Sequence, residues 1–268
     1  MSTLADVQNH VDTRGITLGK VGVTGVYHPL IIRDKATETQ TVTARFDIFV
    51  GLHPDQRGAH LSHLVEGLHK YASSLFSMDD LVTMLRDNRL KQDQKGIPFV
   101  DANIQIVFKY FVEKTAPSSG LKSLVGYDCG FDVELNGSGY KAVSVTVPIS
   151  TVCPCSKEIS DEGAHNQRAN ITIVTKQPLD DTRIIWLEDL IGLAERSGSG
   201  EVFTTLRRID EKALTERMFE SPAFVEDVVR NAVQRLKDEV GGVQYTVKCE
   251  SFESIHPHNA YAESQGEC

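Results

Sequence analysis

The order of elements along this chain predicts an α+β fold in which helices pack on one face of antiparallel sheets. Three observations support it. Apolar residues alternate with polar ones in several runs, the period of a half-buried strand. Strands, then helices, then strands occur in the first half and recur in the second, with no visible sequence repeat. Finally, 268 residues with 40% apolar content can bury a core for one large domain or two ordinary ones.

Residues 1–15 are polar and expected to be loose. Val21, Val23, Val26 and Ile31, then Val42, Ala44, Phe46, Ile48 and Val50, read as two strands joined by a turn at 34–40. A helix follows, with Leu61, Leu64, Val65, Leu68 and Ala72 as its apolar stripe. A second starts at Ser77, where Ser77 and Asp80 form a capping-box pattern. Two further strands are predicted over 98–112 and 121–135, separated by Pro117-Ser118-Ser119-Gly120. The first half is therefore β-β-α-α-β-β. The second half offers strands at 140–147 and 169–175, a helix over 186–195 and a Ser/Gly break at 197–200. Two more helical stretches and a strand region at 243–252 complete it. Domain boundaries are drawn at 16–135 and 136–268.

Composition excludes several classes. Lys plus Arg is 28 and Asp plus Glu is 37, a net charge of −9 with no basic face, so a nucleic-acid partner is not expected. No run approaches the roughly 20 apolar residues that span a bilayer, so no membrane partner is expected either. The N-terminus lacks the basic start and apolar stretch of a signal peptide. Five cysteines at irregular spacing argue against a disulfide framework, and the expected compartment is the cytoplasm.

The most informative stretch is Val147-Pro148-Ile149-Ser150-Thr151-Val152-Cys153-Pro154-Cys155-Ser156-Lys157-Glu158, followed by Gly163-Ala164-His165-Asn166-Gln167-Arg168. Pro148 and Pro154, which lack a backbone donor, are expected to stop the preceding strand. On an extended segment Cys153 and Cys155 would face the same side. Both could meet one ion, or one could ligate while the other lies beside the substrate. Buried apolar thiols and a strained redox pair are the competing readings. His165 tips the balance toward a metal, since a catalytic zinc-type ion takes three thiolate, imidazole or carboxylate ligands and leaves one position open.

A second set lies downstream. Ser221-Pro222 is expected to open a long helix that Gly241-Gly242 ends, with Val225, Val229, Ala232, Val233, Leu236 and Val240 buried. Glu226 falls at the edge of that stripe, where it is a structural ion pair, simple compensation of the dipole at the helix N-terminus, or a ligand anchor, since one carboxylate can accept two parallel hydrogens. Asp210-Glu211-Lys212 is expected before a turn at 213–218, and Glu211 and Glu216 are equal candidates for a carboxylate ligand. The sequence His256-Pro257-His258-Asn259-Ala260 offers imidazoles suited to proton transfer near neutrality. Lys157, Arg168, Arg207, Arg208 and Arg217 could meet an anionic ligand, and some are ordinary surface charges. His60, His63 and His69 share no face with a carboxylate at ligand spacing and read as polar-face or cap residues.

These stretches, with Thr215-Glu216-Arg217, Phe224-Val225-Glu226-Asp227 and Ser254-Ile255-His256-Pro257-His258-Asn259-Ala260, resemble the type IB GTP cyclohydrolases from about residue 15 to the end. The resemblance implies the tunnelling fold, with two tandem units per chain and a homotetramer whose active sites lie between subunits. It implies hydrolysis and rearrangement of GTP to 7,8-dihydroneopterin triphosphate and formate, a step toward folate or queuosine-type products. The implied divalent metal is Zn, Mn or Fe, held by Cys153, His165 and Glu211. Cys155 and His256 are implied beside the chemistry, and Glu226, Lys157, Arg168 and His258 at the substrate. Two other readings stay open: a tunnelling-fold enzyme acting on another pterin or deazapurine, and a non-catalytic metal or redox-sensing scaffold.

Overall fold

The computed structural model describes residues 7–71, 74–93 and 99–268. These form two compact units. The first comprises residues up to Phe108, Gly130–Ala142 and Pro178–Asp181; the second comprises Lys109–Cys129, Val143–Gln177 and Thr182–Cys268.

In the first unit β1 (Leu18–Asp34) and β2 (Glu38–Leu52) form a long antiparallel hairpin, and β2 pairs with β4 (Phe99–Thr115). The short β3 (Leu75–Phe76) adds to β1 in parallel. Gly22 is required by the hairpin: a Cβ there would sit 1.9 Å from the Ile48 carbonyl oxygen. Alternate residues of β2 (Val42, Ala44, Phe46, Ile48, Val50) are buried, as its period-two pattern predicts. The second helix, α2 (Met78–Asp93), begins as expected. Ser77 N donates to Asp80 Oδ2 at 2.8 Å, and Asp80 N donates to Ser77 Oγ at 3.3 Å. The segment before it is shorter than the stripe predicts: α1 spans only Ser62–Glu66 and continues as a 3-10 turn over Gly67–Tyr71. Gly67, a poor helix former, sits where the change occurs; Ala72 lies outside the described residues. Residues 7–15 are tied down through a Val11–Gln56 bridge and a bond from His60 N to Gln8 Oε1.

In the second unit the strand order is β10-β9-β7-β6-β5-β4, formed by β5 (Lys122–Glu134), β6 (Tyr140–Val152), β7 (Asn166–Gln177), β9 (Gln244–Ser251) and β10 (Ala260–Glu267) with β4. The two-residue β8 (Gly200–Glu201) pairs with β6. Helices α4 (Leu187–Glu195) and α6 (Val225–Glu239) cover the sheet, α4 against β7 and α6 against β9 and β10. From α6 the residues Val225, Val228, Val229, Ala232 and Leu236 are buried. Burying each of the larger ones contributes roughly 1.5–3 kcal/mol. Gly241 and Gly242, at φ 57° and 61°, end the helix, and Arg183 bonds both their carbonyls at 3.0 and 2.8 Å.

Four expectations are corrected in this unit. Pro148 does not stop β6, because β8 supplies pairing beyond it: Ile149 and Ser150 register with Glu201 and Gly200. Residues 208–220 form one helix, α5 (Arg208–Glu220), with no turn at 213–218. The last helix starts at Val225, three residues after Pro222, because Asp227 accepts from Phe224 N at 3.1 Å and caps it there. The 254–258 segment is followed by a further strand, β10, which pairs antiparallel with β9.

Candidate metal centre and purine-binding residues

The end of β6 is held on both sides before the chain reaches Cys153. Val152 N donates to Ser199 Oγ at 3.0 Å, and Val152 O accepts from Ala223 N at 3.0 Å. Cys153 then leaves the strand as the N-cap of α3 (Pro154–Ile159), with Pro154 at the first helical position where its missing N–H costs nothing. Its Sγ accepts from Ser156 N at 3.5 Å. This corrects the extended reading of the C-P-C segment: Cys155 lies inside the helix and does not share a side with Cys153. Cys153 is half-buried and Cys155 is exposed.

His165 is joined to this cap through the backbone. Cys153 N donates to His165 O at 3.1 Å, and His165 N donates to Ser156 Oγ at 3.1 Å. The same Ser156 hydroxyl donates to Cys153 O at 3.2 Å. The His165 ring contacts Gln167 Oε1 through Nδ1 at 3.1 Å. Among the described residues its Nε2 makes no hydrogen bond. A half-buried thiol and an imidazole with a free nitrogen, locked together by three backbone-linked bonds, suit a borderline divalent ion.

The third proposed ligand is not gathered with them. Among the described residues no three His, Cys, Asp or Glu side chains cluster as a metal site within one chain. Glu211 is exposed on α5. The adjacent Asp210 is fully buried and anchors the start of that helix, accepting from Ser118 N, Ser119 N, Ser119 Oγ and Arg207 N at 2.6–2.9 Å. Burial raises its pKa, yet these four donors win and hold it at about 2. Glu216 is engaged by Lys212 at 2.8 Å, whereas among the described residues Glu211 makes no side-chain bond or ion pair. That distinguishes two carboxylates that are equivalent in the sequence.

Glu226 occupies the first turn of α6, exposed, and among the described residues it has no ion-pair partner. The structural ion-pair reading therefore has no support, while its place in the first turn also suits compensation of the helix dipole. Arg168 is exposed with an unpaired guanidinium among the described residues, while its carbonyl accepts from Phe252 N at 2.9 Å. Lys157 is already occupied: its ammonium donates to the Phe219 carbonyl near the end of α5 and lies 4.5 Å from the Phe219 ring centroid. Arg217 is paired with Glu201 at 2.9 Å. His256 and His258 are exposed between β9 and β10, with stacked rings 5.1 Å apart.

Sequence reasoning missed Ser156, Ser199 and Gln167. Ser156 stands three residues beyond the cap residue, the N3 position of a capping pattern. Gln167 stands two residues after His165, and so on the same side of a strand. Both signals were legible once Cys153 was recognised as a cap.

The family model described as type I GTP cyclohydrolase FolE2 matches residues 4–262. A protein from Syntrophus aciditrophicus named GTP cyclohydrolase FolE2 is 43% identical over 263 residues, covering 97% of this chain and 98% of that protein. One from Dechloromonas aromatica named GTP cyclohydrolase FolE2 2 is 41% identical over 262 residues, covering 97% and 93%. Among solved structures, uricase from Arthrobacter globiformis superposes with a TM-score of 0.52 at 8% identity, covering 94% of each chain. A uricase from Bacillus fastidious superposes at 0.51 and 9%, covering 96% of this chain and 94% of that one. At such identity these two show the fold alone, which is the tunnelling fold. The chain belongs to the type I GTP cyclohydrolase FolE2 family.

Proposed function

We propose that this chain is a metal-dependent GTP cyclohydrolase of the type IB kind, converting GTP and water to 7,8-dihydroneopterin triphosphate and formate. The end-to-end family match carries this reading. Cys153 and His165, coupled through Ser156, are the two donors we assign to a divalent ion, with the unpartnered Glu211 as the carboxylate. When bound, such an ion lowers the pKa of water and so supplies a nucleophile for C8 of guanine. Glu226 accepts the two hydrogens of the guanine N1 and N2 edge and fixes the ring. Arg168 offers an unpaired cation to the triphosphate, with His258 nearby in sequence to the proton-carrying His256. His256 transfers protons during ring opening and release of the formyl carbon. Cys155, exposed one helical step from the cap, is assigned beside the substrate. Lys157 must release the Phe219 carbonyl to meet a phosphate, so we rank it below Arg168.

Because the described residues of one chain do not gather three ligands, we assign the complete site to a homotetramer, with the active sites between subunits. We also retain 16–135 and 136–268 as the two tandem repeats. The five free thiols suit a reducing cytoplasm, and no helix among the described residues is long and apolar enough to cross a membrane.

The test is to follow formate and pterin fluorescence from GTP with manganese or zinc supplied, comparing wild type with Glu226→Gln. The substitution keeps shape but turns one acceptor into a donor. Turnover should fall at least 100-fold while metal content and melting temperature stay within error. No product from the metal-loaded wild type would sink the cyclohydrolase reading. A sharply lowered melting temperature would move Glu226 from the site to the scaffold.

A further inference from the structure

The side chain of Gln167 is the meeting point of three segments. Its Oε1 lies 3.1 Å from His165 Nδ1 and accepts from Ser254 Oγ at 3.4 Å. Its Nε2 donates to Thr151 Oγ1 at 3.1 Å on β6 and to Glu253 Oε1 at 3.3 Å just beyond β9. Thr151 is almost fully buried and is itself 3.4 Å from the Ser251 hydroxyl, so the amide is held from the strand side as well.

This arrangement determines which way the amide points. An ionised carboxylate only accepts hydrogen bonds, so the end of the amide facing Glu253 must be the NH2 group. The oxygen then faces His165, and the ring atom opposite it must be a donor, Nδ1–H. A neutral imidazole protonated at Nδ1 carries its lone pair on Nε2, the nitrogen that has no hydrogen-bond partner among the described residues. Histidine free in water prefers the opposite tautomer, with the proton on Nε2. The orientation therefore has to be imposed.

We propose that Gln167 is a positioning residue that fixes His165 as the Nδ1–H tautomer and so presents Nε2 to the divalent ion, and that Glu253 sets the direction of the Gln167 amide. The proposal rests on the reading of Cys153 and His165 as metal donors. It adds a residue whose loss acts on the ligand through its proton, without removing a ligand. Glu253 and Ser254 also lead directly into His256, so the amide that orients one imidazole tethers the segment carrying another.

The experiment uses full-length, metal-free protein with 15N-labelled histidine, at a pH where the imidazoles are neutral. Long-range proton–nitrogen spectra report the tautomer at His165. Wild type should show a protonated Nδ1 and an unprotonated Nε2. Gln167→Leu should move His165 toward the Nε2–H form and weaken zinc binding, measured by chelator competition, by about 10- to 100-fold. The exchange Gln167→Glu with Glu253→Gln keeps an acceptor on Nδ1 and the net charge, and should restore both the tautomer and the affinity to within a few fold. An Nε2–H tautomer in wild type, or a tautomer and affinity unmoved by Gln167→Leu, overturns the proposal. A failure of the underlying metal reading looks different: zinc would bind equally to wild type and Cys153→Ala, whatever the tautomer spectra show.

Discussion

At the scale of the residue, Lys114 shows how narrowly charge is balanced inside the second unit. Its ammonium is 9% exposed, 2.7 Å from Glu195, in contact with Glu201, and 4.4 Å from the Phe203 ring centroid. Tyr127, with no exposed surface, donates to the same Glu195 oxygen at 2.6 Å. Burial first, and then the Glu195 carboxylate, push the Tyr127 pKa well above the usual tyrosine range. Glu201 keeps Arg217, but among the described residues Glu195 would lose its ion-pair partner if Lys114 were removed. Breaking a buried pair by deleting one partner costs roughly 3–5 kcal/mol. Urea unfolding of Lys114→Met should show a loss of that order; a loss below about 1 kcal/mol would mean that water or a rotated side chain replaces the ammonium. None of this was legible in the sequence, where Lys114 falls two residues beyond the predicted strand at 98–112 and its partners lie 81 and 87 residues away.

At the scale of the element, α5 is placed by a carboxylate that does no chemistry. Asp210 joins the first turn of α5 to the 117–120 turn through three donors, with Arg207 N as a fourth at the helix start, and so fixes where its neighbour Glu211 emerges. Its pKa is lowered in the folded state, from 3.8 to about 2, so the ionised form is the one that stabilises the fold. That contribution is fully present above the unfolded value and is lost as pH falls through the folded one. Asp210→Asn should therefore lower the urea midpoint at pH 7. The gap to wild type should close as pH drops from about 4 toward about 2. A gap independent of pH would assign the loss to packing. Here the sequence was half legible. The pattern Asp210-Glu211-Lys212 marked a meaningful place, but the anchor lies in the sheet turn at Ser118 and Ser119, which no local signal connects to it. Long periodic strands such as β2 and β9 were readable because one face is buried. The start of α6 was not, because Ser221-Pro222 carries an equally good start signal and the Asp227 cap decided between them.

At the scale of the whole molecule, apolar side chains remain on strand surfaces in each unit. Tyr27 is 69% exposed in the first, and Leu124 and Phe111 are 58% and 46% exposed in the second. In the proposed homotetramer these are side chains that a partner subunit would cover. Light scattering on the purified protein should return about four times the 29.6 kDa chain mass. A monomer that turns over GTP would rule out sites shared between subunits. The site itself was legible only as far as its motif. Cys153, His165 and Glu226 announce themselves by residue type, but whether their partners come from one chain or several is a property of assembly that neither spacing nor periodicity encodes.

The cap on α3 carries one more consequence. Cys153 Sγ already accepts the Ser156 amide hydrogen at 3.5 Å, so the sulfur is held in one orientation before any ion arrives. A ligand that needs no reordering when a metal enters leaves the choice among ions to their supply, because the proposed mix of sulfur, nitrogen and oxygen donors selects no one ion strongly.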